Sequence, residues 1–218
     1  MTQDLLAHLY RTGVIAVLMI DDADDAVPVA RALLAGGVDC MELTLRTPVA
    51  MEALRRIRAE VPEMVAGVGT ILTPQQAREV KAAGAAFGVS PGINPKVVAE
   101  AAQIGLPFAP GICTPTDIEQ ALEHGCKLLK FFPAESTGGL AHLKNIAAPY
   151  AHLGLSYIPL GGVGPSNAEE YLMNPLIHAV GGSWLASRES LHRKDWAVVT
   201  THARNAAQIV NRVRGDQA

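Results

Sequence analysis

The sequence has few cysteines, no excess of charge of one sign and no histidine cluster. Its three cysteines, Cys40, Cys113 and Cys126, form no CxxC pair. An odd number of scattered cysteines argues against a disulfide framework, so we expect a reducing, cytoplasmic location. The net charge of −3 offers no basic surface for nucleic acid. None of the seven histidines shows HxH or HExxH spacing, so we expect neither a catalytic metal nor another cofactor.

Long apolar runs are also missing. No stretch approaches the roughly 20 apolar residues that cross a bilayer, so a membrane partner is not expected. The first eleven residues contain Asp4, His8 and Arg11, which interrupt the apolar segment that a signal peptide needs. This segment is typical of a short amphipathic helix. Small-molecule chemistry is therefore the expected kind of function.

Short apolar runs, by contrast, recur along the whole chain. With 49% hydrophobic residues, the 218 residues suffice for one well-buried domain, and we predict a single domain over 1–218. Each run has the length of a strand and is followed by a turn residue and a segment with helical spacing, which indicates repeated βα units. We therefore predict eight strands, at 14–19, 40–45, 64–68, 87–90, 108–110, 128–132, 156–160 and 178–180.

The helices between these strands carry start and stop signals. A polar cap followed by proline predicts helix starts at Thr47-Pro48, Thr73-Pro74, Asn94-Pro95 and Thr114-Pro115. Glycines predict helix ends at 36–37, 84, 105 and 125. Eight parallel strands at this spacing close most simply into a (β/α)8 (TIM) barrel, here with an extra N-terminal helix. An open flavodoxin-like sheet is the alternative, although eight strands exceed its usual number. A last helix is predicted over 195–214.

One lysine stands in an unusual place. Lys130 lies inside the apolar strand at 128–132, whereas the other lysines have polar or helical surroundings. Alternation places Lys130 and Phe132 on one face of the strand, which points into the barrel if the other face meets the helices. Desolvation disfavours a buried ammonium and so favours the neutral amine that attacks a ketone. Lys130 is therefore a candidate nucleophile, although a structural lysine paired with a buried acid fits its position equally well.

The second strand carries polar residues of a single parity. Glu42, Thr44 and Arg46 alternate with apolar residues, so their face cannot meet the helices and must line the barrel interior. Glu42 is a candidate for moving protons, and Arg46 at the mouth is a candidate clamp for a substrate carboxylate. The alternative is a structural ion pair between Glu42 and either Lys130 or Arg46. Buried charges of this number favour a function.

Glycines after the last two strands predict a phosphate site. The runs at 161–164 and 181–183 follow strands seven and eight, where barrels often bind phosphate with backbone amides. Gly161, Gly162, Gly182 and Ser183 are the candidate ligands. Thr70, after strand three, is a weaker candidate for the second oxygen of the substrate carboxylate, since threonine is common near helix starts.

Together these residues resemble one known family over nearly the whole chain. The motifs are MELTLRT at 41–47, GVGT at 67–70, VSPG at 89–92, PG at 110–111, KFFPAE at 130–135, GG at 161–162 and GGSW at 181–184. They are similar to the class I 2-keto-3-deoxy-6-phosphogluconate (KDPG) aldolases, a family of lyases that includes the 4-hydroxy-2-oxoglutarate (KHG) aldolases.

The resemblance implies a role for each candidate residue. Lys130 would form the Schiff base, Glu42 would be the acid/base, and Arg46 and Thr70 would bind the pyruvate carboxylate. Gly161, Gly162 and Ser183 would hold the phosphate. It also implies a homotrimer, and the products pyruvate and D-glyceraldehyde 3-phosphate.

The sequence departs from the family pattern at Leu160. Gluconate-type members commonly carry threonine just before the paired glycines, whereas galactonate-type relatives carry an apolar residue there. Alternation along the strand points Leu160 into the barrel beside the substrate. A 2-keto-3-deoxy-6-phosphogalactonate aldolase is therefore the alternative within the family, although KFFPAE and GGSW resemble the gluconate type.

Two functions of other classes compete with the aldolase. The first is a phosphosugar isomerase or epimerase with Glu42 as base and Lys130 acting only through its charge. The second is a phosphate-binding barrel without catalysis, which would need the glycine loops but not Lys130, Glu42 and Arg46 together. Reduction with borohydride in the presence of pyruvate separates them, because only an imine is trapped on Lys130.

Overall fold

The computed structural model describes residues 1–215 and consists of parallel strands alternating with helices. The strands are β1 (Val14–Leu18), β2 (Cys40–Thr44), β3 (Val65–Gly69), β4 (Gly88–Val89), β5 (Phe108–Ala109), β6 (Gly111–Ile112), β7 (Leu128–Phe131), β8 (Ser156–Pro159) and β9 (Val180–Gly182). The helices are α1 (Gln3–Thr12), α2 (Ala26–Ala35), α3 (Ala50–Glu60), α4 (Pro74–Ala82), α5 (Pro95–Gln103), α6 (Pro115–Glu123), α7 (Gly139–Ala147), α8 (Ala168–Leu172), α9 (Arg188–His192) and α10 (Trp196–Arg214).

The strands form two parallel sheets that follow one another along the chain. Their orders are β5-β4-β3-β2-β1-β9 and β6-β7-β8. β5 and β6 are consecutive pieces of one extended segment separated by Pro110, which has no N–H to donate. The carbonyl of Pro110 accepts a hydrogen bond from the Lys130 amide at 2.9 Å. The strand predicted at 108–110 is therefore two short strands that extend to Ile112.

The free edges of the two sheets also meet. Tyr157 of β8 forms a parallel bridge with Ile177, just before β9. The Tyr157 amide donates to the Leu176 carbonyl, and the His178 amide donates to the Tyr157 carbonyl, both at 2.8 Å. The α/β class and the parallel strands predicted from the sequence are thus confirmed.

Side-chain alternation sorts the core into two clusters. On β7, Leu129 and Phe131 pack among the helices, whereas Leu128 belongs to an inner cluster with Ile158 and Leu160 of the β8 region. Leu9 of α1 is fully buried in the same inner cluster, so the predicted extra N-terminal helix covers one end of it. The inner face of the strands is therefore the face on which Lys130 lies, as alternation predicted.

Most of the predicted helix signals hold. Thr73 and Thr114 form capping boxes, and the Asn94 side chain accepts a hydrogen bond from the Lys96 amide. The start predicted at Thr47-Pro48 is wrong, because α3 begins at Ala50 and the Thr47 hydroxyl donates instead to the Ile20 carbonyl at 2.6 Å. That bond draws Thr47 toward the loop after β1, and the turn after β2 lengthens before the helix can start.

The last predicted helix is present as α10, with Asp195 as its N-cap. None of the helices within residues 1–215 combines the length and the apolar composition needed to span a bilayer.

Candidate active site

All ten side chains and glycines predicted as site residues line one cavity of about 220 Å³. The cavity lies where β2, β3, β7 and β9 end, together with the loops that follow them. Three larger cavities, of about 520, 430 and 320 Å³, contain neither Lys130 nor Glu42, so size alone does not identify the site. The residues brought together are Glu42, Arg46, Thr70, Lys130, Phe132, Leu160, Gly161, Gly162, Gly182 and Ser183.

Lys130 and Glu42 form an ion pair at the base of this cavity. Lys130 Nζ donates to Glu42 Oε1 at 3.0 Å and to Oε2 at 3.3 Å. Their side chains are only 7% and 3% exposed, and the ammonium also lies 5.5 Å from the centre of the Phe132 ring. A carboxylate at this distance can take a proton from the amine directly. The pair predicted as a structural alternative is therefore present, and its geometry is also that of a nucleophile beside its base.

A glycine on the neighbouring strand makes room for this pair. Gly69 of β3 is the register partner of Thr44 on β2, and a Cβ at Gly69 would overlap the Glu42 carboxylate. Any larger residue would push Glu42 away from Lys130. Gly69 belongs to the motif at 67–70, but its role could not be predicted, because sequence spacing does not show that this glycine lies beside Glu42.

Arg46 and Thr70 stand at the mouth of the cavity above β2 and β3. Arg46 is exposed, and its guanidinium makes no hydrogen bond or ion pair within residues 1–215. It therefore has all its donors available for an anion. Thr70 has a left-handed backbone with φ of 61°, a conformation that costs a non-glycine residue energy and is found preferentially at functional sites.

The loop after β8 presents unpaired backbone donors. Gly161 and Gly162 have φ of 91° and 87°, which only glycine adopts without strain. Their amides have no hydrogen-bond partner in the described part of the chain. Asn167 holds the loop closed, because its side chain accepts from the Gly164 amide at 2.8 Å and donates to the Gly162 carbonyl at 3.2 Å. Two free amides beside one another form a suitable site for an anion.

Gly182 and Ser183 continue this donor surface at the end of β9. A Cβ at Gly182 would overlap the Trp184 ring, so the ring packs directly on the backbone there. Ser183 is exposed, and its hydroxyl makes no hydrogen bond to any residue that the structure describes. It is therefore available to a ligand in the cavity.

Leu160 forms an apolar wall of the cavity. It is 5% exposed, and a Cβ at Gly181 would overlap its side chain. The predicted inward direction of Leu160 is thus confirmed. Val17 of β1 and Val163 of the loop after β8 complete the apolar lining, and both were missed because a valine has no feature that separates a cavity wall from a core position.

The residues that could hold a metal do not converge. Within residues 1–215, no three His, Cys, Asp or Glu side chains are grouped closely enough to bind one. The arrangement is that of an enzyme that activates a ketone through an amine: a buried lysine with its own base, a free guanidinium, and amide donors across the cavity.

Comparison with known proteins identifies the family. A family model described as KDPG and KHG aldolase matches residues 6–202. The chain therefore belongs to the KDPG and KHG aldolase family, as the sequence motifs predicted. A 2-dehydro-3-deoxy-phosphogluconate aldolase of Treponema pallidum is 46% identical over 202 residues, which cover 93% of this chain and 95% of that protein.

Two solved structures show the same arrangement of elements. The KDPG aldolase of Zymomonas mobilis, crystallised with 3-phosphoglycerate, has a TM-score of 0.88 and 37% identity over 95% of this chain and 97% of that one. The KDPG aldolase of Legionella pneumophila, with pyruvate captured as a covalent carbinolamine, has a TM-score of 0.88 and 35% identity over 94% and 98% of the chains.

Proposed function

We propose that this chain is a class I aldolase that cleaves KDPG to pyruvate and D-glyceraldehyde 3-phosphate, and that it also accepts 4-hydroxy-2-oxoglutarate. The buried ion pair between Lys130 and Glu42 carries the proposal, because an imine needs a lysine and a proton carrier in contact. Release of pyruvate from KDPG, measured with lactate dehydrogenase and NADH, tests it. No pyruvate above the rate without enzyme would contradict it.

The first half of the reaction is imine formation on Lys130. Glu42 takes a proton from the Lys130 ammonium, and the neutral amine adds to the C2 ketone of the substrate to form a carbinolamine. Glu42 then gives its proton to the carbinolamine hydroxyl, which leaves as water. The same carboxylate thus serves both proton transfers, as its two short distances to Nζ allow.

The second half breaks the C3–C4 bond. Glu42, a carboxylate again after the dehydration, takes the proton from the C4 hydroxyl, and the electrons of the C3–C4 bond flow into the protonated imine, which becomes an enamine as the aldehyde departs. Protonation of the enamine at C3 by Glu42 and hydrolysis of the resulting imine release pyruvate and restore Lys130. The imine itself accepts the electrons, so we expect activity without a metal or another cofactor.

Substrate orientation follows from the donors around the cavity. Arg46 and Thr70 bind the C1 carboxylate at one side, since a planar guanidinium pairs well with a carboxylate. Gly161, Gly162, Gly182 and Ser183 bind the phosphate at the other side, through free amides and a hydroxyl. Phe132 and Leu160 pack against the carbon chain between them.

Replacing Ser183 tests the phosphate end. We expect Ser183→Ala to raise KM for KDPG by about tenfold, because a hydrogen bond to a charged group contributes about 1.5–3 kcal/mol. KM for unphosphorylated 2-keto-3-deoxygluconate should not change, since that substrate lacks the group that Ser183 binds. Steady-state kinetics on both substrates measure this. Equal changes in KM for the two substrates would show that Ser183 does not bind the phosphate.

Leu160 sets the discrimination between the C4 epimers. Its isobutyl group cannot hydrogen-bond a C4 hydroxyl, and an apolar wall discriminates mainly by shape, by about 1–3 kcal/mol. We therefore propose that the enzyme also accepts 2-keto-3-deoxy-6-phosphogalactonate, and expect Leu160→Thr to favour the gluconate epimer. The measurement is kcat/KM for both epimers.

Leu160→Val is the matched control for this prediction, because valine has the shape of threonine without its hydroxyl. If Leu160→Val shifts the preference between the epimers as Leu160→Thr does, the effect comes from the smaller side-chain volume and not from the hydroxyl. If kcat/KM of the native enzyme already differs between the two epimers by more than about 10³, a residue other than Leu160 recognises the C4 hydroxyl, because an apolar contact normally gives less discrimination than this.

Three further features belong to this proposal. The strands close into a (β/α)8 barrel, which the bridge between Tyr157 and Ile177 supports. The chain assembles as a homotrimer, as the family resemblance implies, and sedimentation equilibrium tests this. The protein acts in the cytoplasm, where three unpaired cysteines remain reduced.

A further inference from the structure

A second cavity of about 210 Å³ adjoins the candidate active site above β1. Val17, Thr44, Arg46 and Ser183 line both cavities, so the two cavities adjoin at these four residues. The second cavity extends the site toward α9, where Arg188 forms its outer side. The proposed reaction uses Arg46 and Ser183, which line both cavities, but not Arg188.

The lining of the second cavity is suited to an anion. It contains two guanidinium groups, those of Arg46 and Arg188, and no carboxylate. The Thr44 hydroxyl is occupied, since it donates to the Leu18 carbonyl at 3.0 Å, and the Ser187 hydroxyl is bonded to that of Ser190 at 2.8 Å. The Ser183 hydroxyl remains free, so the available donors are one hydroxyl and two cations.

Arg188 is held in place rather than loose in solvent. Its Nε and Nη2 donate to the two carboxylate oxygens of Asp21 at 2.7 and 2.8 Å. His192 adds a bond to Asp21 Oδ2 at 2.8 Å, and these partners, Arg188 first, lower the pKa of Asp21 to about 2. Asp21 thus stays ionised and fixes the guanidinium plane, while Nη1 of Arg188 has no partner in the described part of the chain.

We propose that Arg188 binds the substrate phosphate from the β1 side, with Ser183 between it and the glycine amides. Gly161, Gly162, Gly182 and Ser183 are all neutral. Of the cations that line the two cavities, Lys130 forms the imine and Arg46 binds the C1 carboxylate, so Arg188 is the one left for a dianionic phosphate. A charge-assisted bond from a preoriented guanidinium favours phosphate over an uncharged hydroxyl. The inference rests on the proposed function and deepens it, because it makes Arg188 a determinant of preference for phosphorylated substrates.

The test compares Arg188→Gln and Arg188→Lys with Arg193→Gln. Arg193 lies next to α9, is 73% exposed, and pairs with Glu189; its replacement removes the same charge away from the cavity. The readouts are KM and kcat for KDPG and for 2-keto-3-deoxygluconate, and competitive inhibition by inorganic phosphate.

We expect Arg188→Gln to raise KM for KDPG and the inhibition constant of phosphate by about tenfold, equivalent to ~1.4 kcal/mol. The kcat, and KM for the unphosphorylated acid, should stay at native values. Arg188→Lys should recover part of the loss, because it keeps the charge without the planar fork. Arg193→Gln should match the native enzyme.

The assignment of Arg188 to the phosphate would be overturned if Arg188→Gln changed KM equally for KDPG and 2-keto-3-deoxygluconate, or changed it for neither. It would also be overturned if Arg193→Gln caused the same change. Trapping of pyruvate by borohydride separates this outcome from failure of the proposed function. Pyruvate carries no phosphate, so Arg188→Gln should be trapped like the native enzyme. Native enzyme that is not trapped would contradict the Schiff base itself, whatever Arg188 does.

Discussion

Replacement of Lys130 by methionine should abolish cleavage of KDPG and all trapping of pyruvate. Methionine has a similar length but no amine, so no carbinolamine can form. Pyruvate release and borohydride incorporation measure the two effects. Lys127→Met is the matched control, since Lys127 is exposed three residues away and its ammonium only donates to the Leu153 carbonyl. Trapping retained in Lys130→Met would assign the imine to another lysine.

The same variant should also lose stability. If the burial of Lys130 is considered alone, its replacement is expected to stabilise the fold, because the free-energy cost of desolvating its ammonium disappears. The structure reverses this expectation, because Lys130→Met leaves the Glu42 carboxylate buried without its cation, a change that typically costs about 3–5 kcal/mol. Adding Glu42→Gln should recover part of this loss in a denaturant titration, while activity stays absent. Circular dichroism of both variants confirms that the activity result is not a failure to fold.

Replacement of Glu42 by glutamine should lower kcat by roughly 10²-fold or more, the usual contribution of a general acid/base. Glutamine keeps the shape and an acceptor for the Lys130 ammonium, but its amide cannot take up a proton. Dehydration of the carbinolamine and protonation of the enamine both slow, and single-turnover kinetics with KDPG measure them together.

Glu63→Gln is the control for charge, because Glu63 is exposed on the loop between α3 and β3. It should leave kcat unchanged. A loss of less than about threefold in Glu42→Gln would show that Glu42 only neutralises Lys130. In that case another group, or water, would move the protons.

The contact between Lys130 and Glu42 was predictable because strand alternation is a strict rule. Lys130 and Glu42 lie 88 positions apart in the sequence, yet each was placed on the inner face from its own apolar neighbours. Two polar residues that both lie on the inner face of the strands have few other partners. The position of the glycine loops at the same end of the fold was equally predictable, since they follow the last two strands.

Contacts between distant loops were not predictable. Asp21 and Arg188 are 167 positions apart, and each is an ordinary surface residue in its own segment. Thr47 has the sequence of a helix cap, yet its hydroxyl donates to the Ile20 carbonyl and α3 begins only at Ala50, because a contact between distant segments is not visible in the local sequence. Likewise, the strand predicted at 108–110 was expected to end at Pro110, whereas a second short strand follows that proline and extends to Ile112.

The central claim is that Lys130 forms an imine with the substrate ketone. The most direct measurement is borohydride reduction of the native protein with pyruvate, followed by proteolysis and mass spectrometry of the lysine-containing peptides. We expect one reduced pyruvyl adduct, on Lys130, that depends on both pyruvate and borohydride. No adduct, or an adduct on a different lysine such as Lys127, would contradict it.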